Sequence, residues 1–294
     1  MSNTIDPGGS WTRTGKRMMG PDNFRAADHF YGAQLSEQLR TVARRSSVER
    51  HRFINGVFVH EWKVKKYDPD RLKKGHFCFA RRAATLWAEY ERKTELLGEG
   101  PWPQQERIII DCRNFALLDA SLQRSVGVAT RIRNGFANYL GEKHLQDHWI
   151  VERWEGYRWI MDDPDIQRSD LSDKEFIPGV RAWTIARKDP LFAAGCGFGP
   201  DPSDRGLWAI RLDAVHDLNA LFGKLAVSGD SWGLGAKKEE EVSSLDLEEL
   251  DGLCSRAQSG DLSELPPDIE MGEKIVHYDY LGAVQRELSW AEAG

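Results

Sequence analysis

One helical segment constrains the fold of this chain more than any other part of its sequence. Between residues 112 and 126, apolar residues recur at spacings of three and four, which is the pattern of a buried helix face. These residues are Phe115, Leu118, Leu122 and Val126. Asp111 stands where an N-terminal cap belongs, and Gly127 follows the pattern as helix-ending glycines do. A buried helix is therefore predicted, with Cys112 in its first turn.

The segments around this helix predict an α+β fold. Downstream, three stretches rich in β-branched and aromatic residues are bounded by glycine or charged turns, which predicts consecutive antiparallel strands. They are Ala129 to Tyr139, His148 to Trp154, and Tyr157 to Asp163. Upstream, helical spacing from about Leu35 to Trp62 and from about Asp70 to Leu97 predicts two amphipathic helices. A helical N-terminal half packed on an antiparallel sheet is expected.

Cys112 occupies a position where a nucleophile gains from its surroundings. The start of a helix carries N–H groups without intrahelical partners and a partial positive charge, and both stabilise a thiolate. The same N–H groups can donate to the oxyanion that forms when a thiolate attacks a carbonyl. A thiol nucleophile also needs a base, and His148 opens the second strongly β-forming segment.

The strand register suggests a partner for His148. A two-residue turn at Glu155-Gly156 would place His148 directly opposite Asp163, on the same face of the sheet. Asp162 would point to the other face, because successive residues of a strand alternate sides. Asp163 is therefore predicted as the residue that orients the histidine.

These residues lie in segments that resemble the transglutaminase-like superfamily. The segments are CRNFALLDASLQRSVGVATRIRNGFANY, DHWIVERW and RWIMDDPD, and they occur in the family's order. The resemblance implies a papain-like fold in which Cys112 is the nucleophile, His148 the base and Asp163 the orienting residue. Asn114 departs from the acidic residue or histidine that the family often has at that position.

Three aromatic or amide side chains are further candidates for this site. By similarity to the family, a Trp or Gln side chain upstream of the cysteine could give the second oxyanion donor, which makes Trp102 and Gln105 candidates. Trp149 belongs to an aromatic cluster that could line a substrate cleft or form part of the core.

The resemblance implies cysteine-dependent acyl transfer through a thioester acyl-enzyme. The partners would be an acyl donor, either an amide or a thioester, and an amine acceptor, and no cofactor or metal is expected. A cysteine amidase or peptidase is the first alternative, because water can replace the amine. A degenerate, non-catalytic binding module of the same fold is the second.

The chain of 294 residues can bury one large core with extensions. Residues 1–22 lack periodicity and contain several Gly and Pro residues, which predicts a mobile tail. Residues 23–185 are expected to form the transglutaminase-like catalytic domain. Residues 186–294 are expected to form a C-terminal extension packed on it, with helices near residues 207–225 and 245–258.

Charge and cysteine spacing exclude several other classes. A formal net charge of −6 provides no global positive field for phosphate backbones, so nucleic acid is not an expected partner. No run of about 18 apolar residues and no signal-peptide pattern is present, so a cytoplasmic protein without membrane spans is expected. Cys78, Cys196 and Cys254 are far apart and are expected to be structural.

Overall fold

The computed structural model describes residues 21–26, 29–141, 143–199, 201–272, 274–281 and 284–289. Residues 1–20 of the predicted mobile tail lie outside the described residues. The last two residues of that predicted tail belong instead to a 3-10 turn, Pro21–Phe24, whose Phe24 is buried. The Phe24 ring contacts the ring of Trp159 edge-on at 5.7 Å, which explains why this part of the chain packs.

The fold is of the α+β class, as predicted. Its helices are α1 (Glu37–Ala43), α2 (Ser47–Val57), α3 (Glu61–Tyr67), α4 (Pro69–Lys74), α5 (Ala83–Leu97), α6 (Cys112–Ser125), α7 (Gly179–Ala186), α8 (Pro190–Gly195), α9 (Leu207–Leu221), α10 (Gly233–Ala236) and α11 (Ser244–Ser259). Its strands are β1 (Phe58–His60), β2 (Ile108–Ile110), β3 (Thr130–Ala137), β4 (Leu145–Trp154), β5 (Trp159–Asp162), β6 (Phe176–Pro178), β7 (Cys196–Gly197), β8 (Asp230–Ser231), β9 (Lys274–Asp279) and β10 (Val284–Ser289).

The strands of the described residues form separate sheets. The main sheet has the order β5-β4-β3-β6 with antiparallel neighbours, and β7 adds a short parallel pairing to β4. β1 and β2 form a parallel pair, and β8, β9 and β10 form an antiparallel sheet near the end of the chain. The C-terminal extension was predicted to be helical. The structure shows that it also contains strands.

Helix α6 and the three strands that follow it agree closely with the sequence pattern. α6 begins at Cys112 and ends at Ser125, and Gly127 follows with φ of 81°, a left-handed conformation that favours glycine. α6 packs against β3 and β4, and most of its residues are buried. The apolar spacing and the Asp111 cap were sufficient to predict this helix, because both are local signals.

The segment from Leu35 to Trp62 was predicted as one amphipathic helix. In the structure it is divided between α1, α2, β1 and the start of α3. Ser46 and Glu49 form a capping box, which ends α1 and starts α2. The chain then becomes extended at Phe58–His60, which pairs with Ile108–Ile110. Pairing with a distant segment overrides the local helical pattern.

The second predicted helix, from Asp70 to Leu97, is also interrupted. α4 begins with Pro69 at its first turn, where the fixed φ of proline suits a helix start. It ends at Gly75, whose φ of 152° stops the helix, and α5 begins only at Ala83.

The predicted register of the β4–β5 hairpin is wrong by two residues. Trp154 pairs with Trp159, so the loop has four residues where two were predicted, and Gly156 takes a φ of 85° within it. A shift of two residues leaves every side chain on the face that was predicted. Continued beyond the end of β5, this register places Asp163 level with Ile150, diagonal to His148 on the same face.

One hydrophobic core joins the two halves of the chain. It includes Leu39 of α1, Phe115 of α6, Trp183 of α7, Leu218 of α9 and Leu253 of α11. The C-terminal helices therefore pack on the sheet and helices of the first half. None of the helices in the described part of the chain is long and apolar enough to cross a membrane.

A buried ionic network ties α9 to the main sheet. The Arg133 guanidinium on β3 donates to both carboxylate oxygens of Asp217 on α9, at 2.6 and 2.7 Å, and also to Glu152 on β4 at 3.1 Å. Burial disfavours the charged guanidinium, but Asp217 and Glu152 outweigh this effect and raise the pKa of Arg133. The same Asp217 accepts the backbone N–H of Val180 at the start of α7.

Replacing Asp217 tests this network. Asp217→Asn removes a buried charge that faces Arg133, so the free energy of unfolding in urea at pH 7 should fall by about 3 to 5 kcal/mol. The matched control is Asp170→Asn, which breaks an exposed pair with Arg158 and should have little effect. Equal effects of the two substitutions would contradict a structural role for the buried network.

Candidate active site

The position of Cys112 is set by the cap that precedes it. Asp111 Oδ1 accepts the backbone N–H of Asn114 at 3.0 Å, and Asp111 Oδ2 accepts the hydroxyl of Ser228 at 2.7 Å. Burial raises the pKa of Asp111 to about 6, although both hydrogen bonds oppose the shift. Cys112 itself is partly exposed, whereas the other cysteines are buried, as predicted: Cys78, Cys196 and Cys254.

Arg113 holds the first turn of α6 from inside the protein. Its side chain is fully buried and donates to the backbone carbonyls of Ala80, Arg81 and Ala226 and to the Asn114 side chain. Burial lowers the pKa of Arg113 to about 10, so the guanidinium stays charged at neutral pH.

Asn114 also supports the helix start, although it departs from the family pattern. Its amide donates to the carbonyls of Phe77 and Cys78 at 2.8 and 2.9 Å. These hydrogen bonds, together with those of Arg113, connect the first turn of α6 to the segment that precedes α5.

The structure brings His148 and Asp163 together. His148 Nε2 and Asp163 Oδ2 are 2.8 Å apart, and both side chains are buried. Asp163 Oδ2 also accepts the hydroxyl of Tyr139 at 2.9 Å, and Oδ1 accepts the backbone N–H of Asp165 at 3.0 Å and that of Ile166 at 3.3 Å. The carboxylate is therefore fixed by hydrogen bonds on both oxygens.

The charges of this pair stabilise each other. Burial disfavours both charged forms, but the attraction and the shared hydrogen bond outweigh it, so that the pKa of His148 is raised and that of Asp163 is lowered. His148 is therefore held as an imidazolium to higher pH than a free histidine.

Asp162 has a different role from its neighbour. Its Oδ2 accepts from Arg153 at 2.6 Å and from the hydroxyl of Ser47 at 3.4 Å. Asp162 faces the same side of the sheet as Val151, and Asp163 faces the other side with His148. The choice between the two aspartates made from strand alternation therefore agrees with their positions.

The surroundings of Cys112 differ from the sequence expectation of a stabilised thiolate. Burial and the negative charges of Asp111, Asp147, Asp165 and Glu61 raise the pKa of Cys112. The pKa of Cys112 therefore lies well above its ordinary value, and the side chain is a neutral thiol at pH 7.

His148 and Cys112 belong to one cluster of charges but are not hydrogen-bonded to each other in the described part of the chain. The charge of Asp165 acts on both side chains, and that of Asp147 acts on the thiol and interacts with His148. Nε2 of His148 is bonded to Asp163, so Nδ1 is the ring nitrogen that could accept a thiol proton.

A second histidine, which sequence patterns did not single out, packs against the first part of α6. His60 ends β1 level with Ile110, and its ring stacks on Phe115 of α6 with 6.2 Å between centroids. His60 Nε2 is 3.5 Å from Asp165 Oδ2. The only sequence signal for it was a histidine at the end of an apolar stretch, within a segment predicted to be helical.

Asp147 forms a buried acid pair with Asp213 of α9. The charge of Asp147 disfavours ionisation of Asp213, and Asn134 donates to Asp147 Oδ1 at 2.9 Å. Burial raises the pKa of both aspartates, so the pair retains a proton where isolated carboxyl groups would be ionised.

The remaining sequence candidates have other surroundings. Trp102 is buried, stacks on Tyr90, and donates its indole N–H to the carbonyl of Gly98 at 2.9 Å. Gln105 lines a cavity of about 220 Å³ whose lining does not include Cys112. Trp149 is buried in the main core beside His216, at 5.7 Å between ring centroids. The indole N–H of Trp102 is thus already used, and Trp149 packs as a core residue.

Within the described residues, no group of three or more His, Cys, Asp or Glu side chains could hold a metal ion. A scan against protein-family models, a search of curated proteins and a search of solved structures each found no match to the chain. A function for this site must therefore be inferred from its own residues.

Proposed function

We propose that the chain is a cysteine-dependent acyltransferase of the transglutaminase-like, papain-like type. Cys112 is the nucleophile, His148 the base and Asp163 the residue that orients the imidazole. The observation that carries the proposal is the buried 2.8 Å hydrogen bond between His148 and Asp163, on a sheet that packs against the helix that starts with Cys112. A carboxylate bound to one ring nitrogen fixes the tautomer in which the other can act as base.

In the first half-reaction, the Cys112 sulfur attacks the carbonyl carbon of an amide or thioester. His148 Nδ1 takes the thiol proton during the attack and then delivers it to the departing amine or thiol. The products are a thioester on Cys112 and the free leaving group. The N–H groups at the start of α6 donate to the oxyanion of the tetrahedral intermediate.

In the second half-reaction, an amine attacks the thioester carbonyl. His148 removes a proton from the amine and returns it to the Cys112 sulfur, so that an amide is formed and the thiol is regenerated. The acyl donor and the amine acceptor are the proposed partners, and the residues need no cofactor for either step. The four free cysteines fit a reducing compartment, and a cytoplasmic location is part of the proposal.

Two other functions use the same structure. A cysteine amidase or peptidase would pass through the same acyl-enzyme, with water in place of the amine. A non-catalytic binding module is favoured by a specific observation, the raised pKa of Cys112, because a neutral thiol is a poor nucleophile without its base. The intact pair of His148 and Asp163 supports the enzymatic alternatives over this one.

The pH dependence of Cys112 alkylation tests the role of His148. Iodoacetamide labelling, followed by peptide mass spectrometry, should rise with pH with a midpoint above 6.5, because His148 accepts the thiol proton only when neutral and its pKa is raised. His148→Ala should remove this midpoint. Asp163→Asn should move it to lower pH, because it removes the charge that raises the pKa of His148.

The buried cysteines are internal controls in the same samples. Cys78, Cys196 and Cys254 should label slowly and without dependence on His148, because burial raises the pKa of each. An identical profile for Cys112 in wild type and His148→Ala would refute the catalytic proposal and favour the binding module.

An activated ester tests for the acyl-enzyme. With p-nitrophenyl acetate, one equivalent of nitrophenolate should be released in a burst, and the acetyl group should be found on Cys112 by mass spectrometry. Cys112→Ala should abolish the burst, and Cys254→Ala should retain it. Faster loss of the acetyl group with added primary amines, with amide as product, indicates transfer, whereas loss to acetate alone indicates the hydrolase.

A further inference from the structure

The turn that follows β5 serves two histidines. Asp163, at its start, is bonded to His148, and Asp165, two residues later, lies 3.5 Å from His60. The backbone N–H of Asp165 donates to Asp163 Oδ1, which links the two residues directly within this turn. The side-chain amide of Asn55 donates to the carbonyl of Pro164, between them, at 2.7 Å.

The ring of His60 has contacts on one face and at both nitrogens. It stacks on Phe115, one helical turn after Cys112, with an interplanar angle of 9°. Its Nδ1 lies 3.1 Å from the backbone N of Trp62 and 3.3 Å from Glu61 Oε2. Because it is 8% exposed, the ring has little contact with solvent.

The two partners of Nδ1 require different states of the ring. A neutral ring can accept the N–H of Trp62 at Nδ1, whereas a protonated ring must donate from Nδ1, and only Glu61 can then accept. Glu61 Oε2 and Asp165 Oδ1 are buried oxygens without a hydrogen bond in the described part of the chain. Protonation of His60 gives Glu61 its missing donor and strengthens the contact with Asp165.

We propose that His60 is a second, positioning histidine of the Cys112 site, which in its protonated form pairs with Asp165 and Glu61 and thereby offsets the negative charge that Asp165 places on His148 and Cys112. This role rests on the function proposed for Cys112 and His148. His60 acts on the reaction through these carboxylates and does not take the thiol proton.

The charges around His60 support this role. Burial opposes protonation, but Asp165, Glu61 and Asp111 outweigh it and raise the pKa of His60 to about 9, so the ring is charged at neutral pH. Lys63 Nζ lies 3.7 Å from Asp165 and shares that carboxylate with His60.

The charges of Asp165 and His60 shift the pKa of His148 in opposite directions. Asp165 raises the pKa of His148 and of Cys112, and His60 lowers the pKa of His148. A protonated His60 therefore partly cancels Asp165, which makes the thiol easier to ionise and the base easier to deprotonate near pH 7.

Paired substitutions of opposite sign test the inference. The pKa of His148, followed by histidine NMR and assigned by comparison with His148→Ala, should rise by about one pH unit in His60→Gln and fall by about one in Asp165→Asn. The double variant should return close to wild type, because the two charges are removed together. Gln removes the charge but also the ring that stacks on Phe115, so the free energy of unfolding of the variant is measured alongside.

Alkylation of Cys112 at pH 7 should follow the same signs. The rate should fall about three- to tenfold in His60→Gln and rise by a similar factor in Asp165→Asn. If the role of His60 were only structural, the labelling rate would stay unchanged in both variants or would change in the same direction in both. Either of these results overturns the inference. Unfolding in urea checks that each variant remains folded.

The two proposals fail separately in this design. If Cys112 labels with the same pH profile in wild type and in His148→Ala, the proposed catalytic function is overturned. The NMR shifts of His148 still report on the charge of His60 in that case. If His60→Gln does not fold, the titration of His60 in the wild-type protein decides. A pKa near 9 supports the protonated ring, and a pKa below 6.5 overturns it.

Discussion

The start of α6 depends on one buried guanidinium. The guanidinium of Arg113, the residue after Cys112, donates to three backbone carbonyls. Two belong to the segment before α5 and one to the segment after α9. A buried cation must find acceptors because an unsatisfied charge is costly, so these segments cannot drift from the helix without exposing it. The bond to Ala226 also ties the start of α6 to the C-terminal part of the chain, as does the bond of Asp111 to Ser228.

The sequence was sufficient where local rules decide the structure. The Asp111 cap, the apolar spacing of α6 and the β-branched strands after it are local signals, and the structure agrees with them. Strand alternation placed His148 and Asp163 on one face even though the hairpin register was wrong by two residues, because only an odd shift exchanges the faces.

The parts that were missed depend on distant partners. The strand that ends at His60 exists because it pairs with Ile108–Ile110, some fifty residues later in the chain. The contact of His60 with Asp165, and that of Asp147 with Asp213, likewise join segments with no local signal of proximity. Trp102 and Gln105 were chosen by their position in the chain, but the indole N–H of Trp102 has another partner and Gln105 lines a cavity whose lining does not include Cys112.

The charges around Cys112 and His148 act in opposite directions on the two side chains. Carboxylates around Cys112 oppose a thiolate, and one of them, Asp165, together with Asp163 also favours the protonated form of His148. A thiol that stays neutral is less exposed to oxidation, because oxidants attack the thiolate form. In the proposed mechanism, the thiol would therefore lose its proton only as it attacks the bound carbonyl.

The contacts of Ala226 and Ser228 with the start of α6 also have a consequence for protein synthesis. Both the cap of α6 and its buried anchor take a partner that lies 113 to 117 residues further along the chain. A nascent polypeptide that has already exposed Cys112, His148 and Asp163 outside the ribosome still lacks these partners. The start of α6 is therefore completed only after residues 226–228 have been synthesised, which separates the emergence of the candidate site residues from the formation of the site.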